Sequence, residues 1–182
     1  MLEHKNILFK SAMTYGLSFG LFWCFKYIFF MLGISSNFFS FIYMTLTFFV
    51  PFIGLYYTWR YKMDIGGQLG FMHGWQFGIL LYFFAAMVIA LLHYAFYRYL
   101  APPGFLANSL QQTIDMLNNA QADSKMIEAI ESVNVTPIQM AIQGIFNNVF
   151  YGILFSIPVA YLVKRLRTPV LPNNENTTDD NE

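Results

Sequence analysis

The chain has 182 residues, of which 57% are hydrophobic, 20% aromatic and only 11% charged. A typical soluble domain carries about 25% charged residues, so this composition excludes an ordinary soluble globular domain. Ten basic residues balance ten acidic ones, and we expect no nucleic-acid partner.

Four long apolar stretches predict the fold class. A helix needs about 20 apolar residues to cross a bilayer, and four stretches reach that length, at about 7–32, 38–59, 69–97 and 138–163. We therefore predict an all-α membrane protein in which residues 1–166 form one domain of four transmembrane helices. The first stretch exceeds a signal-peptide core and no Ala-x-Ala-like site follows it, so we expect it to stay uncleaved.

The first span combines small residues with one charge. Gly16 and Gly20 are four residues apart, a spacing that lets helix backbones approach closely. Lys26 lies inside the span, about 10 Å of helix from its outer end. We expect its ammonium group to snorkel to the head groups, with a substrate path or a polar partner in the bundle as alternatives. Cys24 is expected to be a buried thiol.

The second span contains Pro51, which predicts a kink because proline removes one helical hydrogen bond. Tyr56, Tyr57 and Trp59 follow near its end, where aromatic rings favour the membrane interface. We interpret these aromatic residues as anchors.

A run of glycines opens the third span at four-residue intervals: Gly66, Gly70, Gly74 and Gly78. Each glycine in a helix costs about 1 kcal/mol relative to alanine, so the stripe predicts a close contact. We expect it to pack on the first span, and a second copy of the chain is the alternative.

Two histidines of the third span are too far apart to share a metal ion. His73 and His93 are separated by about 30 Å of helix, whereas ligands converge within about 2.2 Å of the ion. We expect hydrogen-bonding roles for both, no metal site and no cofactor.

The segment 101–136 changes character. Pro102, Pro103 and Gly104 predict the end of the third helix. Two short amphipathic helices are expected next, packed on the spans or lying on the membrane surface. Thr136 and Gln139 then form the pattern of a capping box that starts the fourth span.

Gln143 and Asn147 form a polar stripe on the fourth span, which we expect to face the bundle interior and to bond neighbouring helices. A pore lining is the alternative. The acidic tail, residues 167–182, is predicted to be disordered in the cytoplasm.

Basic residues flanking the spans predict the orientation. One side receives seven: Lys5, Lys10, Arg60, Lys62, Lys164, Arg165 and Arg167. The other side receives Arg98 and Lys125. Because basic loops stay in the cytoplasm, we expect both termini there, in a bacterial cytoplasmic (inner) membrane.

Catalytic signatures are missing from the sequence. Every acidic residue lies outside the spans, so no carboxylate pair can meet within the membrane for acid–base chemistry. The metalloprotease, serine-hydrolase and phosphate-loop motifs are also lacking. We predict a non-catalytic protein.

The chain resembles domain-of-unknown-function family 4199, small membrane proteins mostly of Bacteroidota. The stretches that carry the resemblance are FKSAMTYGLSFGL, GGQLGFMHGWQFGILL, HYAFYRYLAPPGFLANSLQQ and IQGIFNNVFYGILFSIPVAYLVKR. The resemblance implies a four-span bundle and no established activity.

Three functions are compatible with these patterns. The favoured hypothesis is a scaffold or accessory subunit of an envelope complex, whose glycines hold a membrane-protein partner or a second copy. A small transporter or channel subunit is the first alternative, because of Lys26 and the Gln143–Asn147 stripe. A lipid-binding membrane protein is the second.

Overall fold

The computed structural model describes residues 2–133 and 135–166, with side chains from residue 6 onward. The predicted disordered tail, 167–182, lies outside the described residues. Within the described residues there are six α-helices and one π-helix: α1 (Leu2–Gly33), α2 (Asn37–Asp64), α3 (Phe71–Ala95), the π-helix (Phe96–Leu100), α4 (Phe105–Asn119), α5 (Ser124–Glu131) and α6 (Pro137–Arg165).

Four of these helices are long and apolar enough to cross a membrane: α1, α2, α3 with its π-helix, and α6. The predicted all-α class with four long apolar helices is confirmed, and the chain is a multi-pass membrane protein. We call the end of the bundle where α1 starts and α2 and α6 finish the basic end, after Lys10, Arg60 and Lys62. The end that carries α4 and α5 is the hairpin end.

Helix α3 occupies the centre of the bundle, with α1 and α6 packed on its two sides. A Cβ atom added to Gly16 of α1 would lie 2.5 Å from Cβ of Phe84 on α3. On the opposite side, an added Cβ on Gly78 would collide with the side chain of Ser156 on α6. Glycines therefore set the close approach of both neighbours to α3.

The glycine stripe differs from the expected continuous one. Gly66 has a φ of +87° and lies in the turn before α3, and Gly70 immediately precedes the helix. A Cβ on either residue would meet nothing within 4 Å. Gly74 and Gly78 contact α6 rather than α1, so the two glycine pairs pack on different partners. The left-handed backbone of Gly66 and Gly67 is the physical reason that the helix starts later.

Buried side chains pack the bundle between the basic end and its middle. Phe19, Tyr61, Phe77 and Val163 are fully buried, and the rings of Tyr61 and Phe77 stack with their centroids 4.1 Å apart. We call these four residues the floor. Fully buried side chains of this kind indicate dense packing between the helices.

Lys62 fastens α2 to the end of α6 just beyond the floor. Its ammonium group donates hydrogen bonds to the carbonyl oxygens of Val163, at 3.0 Å, and Leu166, at 2.7 Å. Only 4% of the residue is exposed. The last carbonyls of a helix lack intrahelical partners, so this lysine satisfies them.

At the hairpin end, α3 passes into the π-helix and then stops. Gly104, with a φ of +80°, reverses the chain into α4, as the Pro102–Gly104 sequence predicts. The capping box of α6 is also confirmed: the backbone N–H of Thr136 donates to Oε1 of Gln139 at 2.9 Å, and the N–H of Gln139 donates to Oγ1 of Thr136 at 3.4 Å.

Candidate functional site

A cavity of about 410 Å³ lies between α2 and α3, above the floor. We call it the membrane cavity. Its wall draws on all four long helices, among them Trp23, Lys26 and Tyr27 of α1, Tyr43 and Thr47 of α2, Tyr82 and His93 of α3, and Asn148 and Tyr151 of α6. Helix α2 buries no residue before Val50, so its first half stands away from α3 and leaves this space.

The membrane cavity opens sideways between α2 and α6. Thr47 on α2 and Tyr151 and Phe155 on α6 line it, and all three are also exposed on the bundle surface. At this level of a membrane-spanning bundle, exposed side chains face lipid acyl chains.

Lys26 supplies the one formal charge among the residues that line this cavity. Its Nζ lies 5.0 Å from the centre of the Tyr43 ring. This distance is typical of a cation–π contact. The side chain thus contacts α2 across the cavity, and it makes no hydrogen bond or ion pair with another described residue. A ring face only partly replaces the hydration that an ammonium group loses inside a membrane.

Three further lining residues carry buried polar atoms without partners: Nε1 of Trp23 and the hydroxyls of Tyr27 and Tyr82. These atoms lie within the wall, covered by neighbouring side chains. Tyr97 lies beside the Tyr27 hydroxyl, without the geometry of a hydrogen bond. Each buried polar group left unpaired costs about 1–3 kcal/mol, so these three groups lower the stability of the wall.

A second cavity, of about 600 Å³, continues from the first toward α4 and α5. We call it the hairpin cavity. The two cavities share Tyr27, Tyr43, His93 and Asn148. Apolar residues of α4 and α5, such as Leu106 and Ile130, form much of the outer wall.

Gln143 and Asn147 line the hairpin cavity and are exposed in the isolated chain. The expected stripe thus faces an open space, where neither side chain bonds a neighbouring long helix. Gly144, between them, lets the ring of His93 approach, because an added Cβ would lie 2.9 Å from its Nδ1. His93 in turn packs on Tyr27, with ring centroids 4.3 Å apart.

The other predicted polar residue lies away from both cavities. His73 accepts or donates a 2.6 Å hydrogen bond with the Tyr61 hydroxyl, next to the floor. Cys24 is half-buried. Within the described residues, no cluster of three metal-ligating side chains occurs.

Sequence reasoning singled out Lys26 and Asn147 but missed the aromatic part of the site. Trp23, Lys26 and Tyr27 are spaced i, i+3 and i+4, which places them on one helix face. Tyr82, Ile89 and His93 follow the same rule over three turns of α3. The signal was a polar-aromatic stripe on each helix, which hydropathy averaging conceals.

Aromatic and uncharged polar side chains dominate the lining of both cavities. Among the described lining residues there is no Asp, Glu or Cys, and the one serine is Ser109 on α4. Hydrogen-bond donors and one cation line the membrane cavity, and apolar rings separate them. Such a lining orients a ligand through a few polar contacts.

Fold and site together define a small multi-pass helical membrane protein with a cavity lined by aromatic and polar side chains. A family model described as protein of unknown function (DUF4199) matches residues 14–165, so the chain belongs to this family, as the sequence resemblance predicts. No curated protein matches the chain. No solved structure matches it either.

Proposed function

We propose that this protein is a non-catalytic membrane protein that binds an amphiphilic, lipid-like molecule. The head group lies in the membrane cavity, and the acyl chains leave through the gap between α2 and α6. The observation that carries the proposal is an unpaired lysine in a cavity of about 410 Å³ that opens to lipid. The lysine can bind a polar head group, and the opening between α2 and α6 can accommodate an apolar tail.

Two further observations support this function over a passage for solutes. The floor residues are fully buried, and Lys62 joins α2 to α6 beyond them. A transporter or channel would need an opening at this level. The alternative of a small transporter therefore requires a rearrangement of these buried side chains.

Native mass spectrometry of the detergent-purified protein tests the proposal. We expect a retained lipid on the wild-type chain. Thr47→Phe, which fills the cavity from α2, should release it. Met44→Phe lies one turn earlier on the same helix, with 72% of Met44 exposed, and should retain the lipid. Equal retention by both variants, or no lipid on wild type, contradicts the proposal.

A scaffold or accessory subunit of an envelope complex is the second function. The observation that favours it is α2, whose apolar window is only 11% buried, the smallest share of the four spans. Its outer face carries large aromatic residues, including Phe41 and Phe48, that are more than 60% exposed. Photocrosslinking from position 41 should capture a single protein partner or a second copy if this function holds, and only lipid if it does not.

The proposal also includes the location: the cytoplasmic membrane of a bacterium, with both termini in the cytoplasm. The basic residues at one end of the bundle support it, because positively charged loops are retained in the cytoplasm. In that orientation, both cavities lie in the half of the membrane that faces away from the cytoplasm.

A further inference from the structure

We infer that the head group recognised by the membrane cavity is an oxyanion with a single negative charge, a phosphate diester or a carboxylate. The inference rests on the proposed function and adds the chemical class of the ligand. Two features of the cavity carry it: the sign of its charge and the hydrogen-bond donors of its lining.

The charge of the lining has one sign. Lys26 contributes a positive charge, and no Asp or Glu lines either the membrane cavity or the hairpin cavity. An ammonium group in the interior of a bilayer costs about 2.5–3.5 kcal/mol by insertion scales. A bound anion offsets that cost directly, whereas a neutral head group leaves the charge unpaired.

Zwitterionic head groups fit the cavity less well. A choline or ethanolamine group brings its own cation. The lining offers no carboxylate to pair with that cation, and Lys26 already lies over the ring of Tyr43 at 5.0 Å. The second cation would lie in the same apolar space as the first, and like charges repel strongly at low dielectric.

A polar side chain at the junction of the two cavities is compatible with an acceptor. The amide of Asn148 lies there and carries N–H donors. An oxyanion has several acceptor positions, so it can receive bonds from Lys26 and from this amide together.

Fluorescence of Trp23 provides the test, because this residue lies in the cavity wall. The chain has three tryptophans, and the variant Trp59→Phe/Trp75→Phe leaves Trp23 alone. This variant is placed in phosphatidylcholine nanodiscs and titrated with brominated phosphatidylglycerol or brominated phosphatidylcholine, which quench tryptophan on contact. Inorganic phosphate is added in a third arm to represent a soluble source of the same chemistry.

We expect saturable quenching by the anionic lipid at about a tenfold lower mole fraction than by phosphatidylcholine, a difference of about 1.4 kcal/mol. Lys26→Met should abolish the preference and Lys26→Arg should keep it. Lys10→Met, at the basic end, is the matched control and should leave it unchanged. If Lys26→Met does not fold, Lys26→Gln, which keeps a polar side chain without the charge, should likewise abolish the preference.

The outcomes separate the two claims. Saturable quenching that is equal for both lipids, or a preference that survives Lys26→Met, overturns the oxyanion inference and leaves lipid binding intact. No saturable quenching by either lipid overturns the proposed function as well. Displacement of bound lipid by inorganic phosphate supports the oxyanion and overturns its assignment to a lipid.

Discussion

Single polar atoms in this bundle divide into those that have partners and those that do not. The hydroxyl of Tyr61 is bonded to His73 at 2.6 Å, while the hydroxyl of Tyr82 is buried without a partner. Both belong to tyrosines that are almost fully buried. The two residues therefore make a matched pair for measuring what an unused polar group costs the protein.

We expect Tyr82→Phe to raise the free energy of unfolding by about 1 kcal/mol in lipid-free detergent, because it removes a buried group that has no partner. Tyr61→Phe should lower it by a similar amount, because it leaves His73 unpaired. Unfolding by dodecyl sulfate titration measures both. If Tyr82→Phe is as destabilising as Tyr61→Phe, the Tyr82 hydroxyl has a partner within the protein after all.

Lys62 provides the second test at this scale. Lys62→Met keeps the length of the side chain but removes the donors to Val163 and Leu166. Bonds from a charged donor are worth about 1.5–3 kcal/mol each, so we expect a loss of about 3 kcal/mol in unfolding free energy. Lys164→Met, an exposed residue on α6, is the control. A loss below 1 kcal/mol for Lys62→Met would show that α6 is held without these bonds.

Among the helices, close packing depends on which glycines lie inside an element. Gly78 and Gly70 read alike in the sequence, yet only Gly78 is in a helix and against a neighbour. In the sequence, both are glycines of the same four-residue series at the start of an apolar stretch. It cannot show that a left-handed turn at Gly66 and Gly67 delays the start of α3.

Gly78→Ala should therefore destabilise the bundle by about 1–3 kcal/mol, because its Cβ would lie 2.6 Å from Cβ of Ser156. Gly70→Ala, with open space around it, should be neutral. Adding Ser156→Gly to Gly78→Ala should restore most of the loss, since contacting residues couple. Unfolding titration of all three variants checks this, and a loss that Ser156→Gly leaves unchanged would argue against direct contact.

For the molecule as a whole, sequence was sufficient for the number and class of the helices. Apolar runs of 20 or more residues and the Thr136–Gln139 capping box are local signals, and the helices follow them. The membrane cavity could not be predicted from the sequence, because it depends on how the first half of α2, which buries no residue before Val50, is placed relative to α3. Lys26 was therefore assigned to the interface, and its position over Tyr43 was not foreseen.

The orientation of the bundle is testable with cysteines at its two ends. In a Cys24→Ala background, Gln112→Cys on α4 and Arg60→Cys on α2 both occupy exposed positions. If the basic end is cytoplasmic, a membrane-impermeant maleimide should label position 112 in intact cells lacking an outer-membrane barrier. Position 60 should react only after lysis. The reverse pattern would invert the predicted topology.

The buried residues Phe19, Tyr61, Phe77 and Val163 separate the membrane cavity from the basic end of the bundle. If the protein binds lipid as proposed, a bound molecule would exchange with one leaflet, and its occupancy would follow the lipid composition of that leaflet. Binding of this kind responds to composition and performs no net work on the bound molecule.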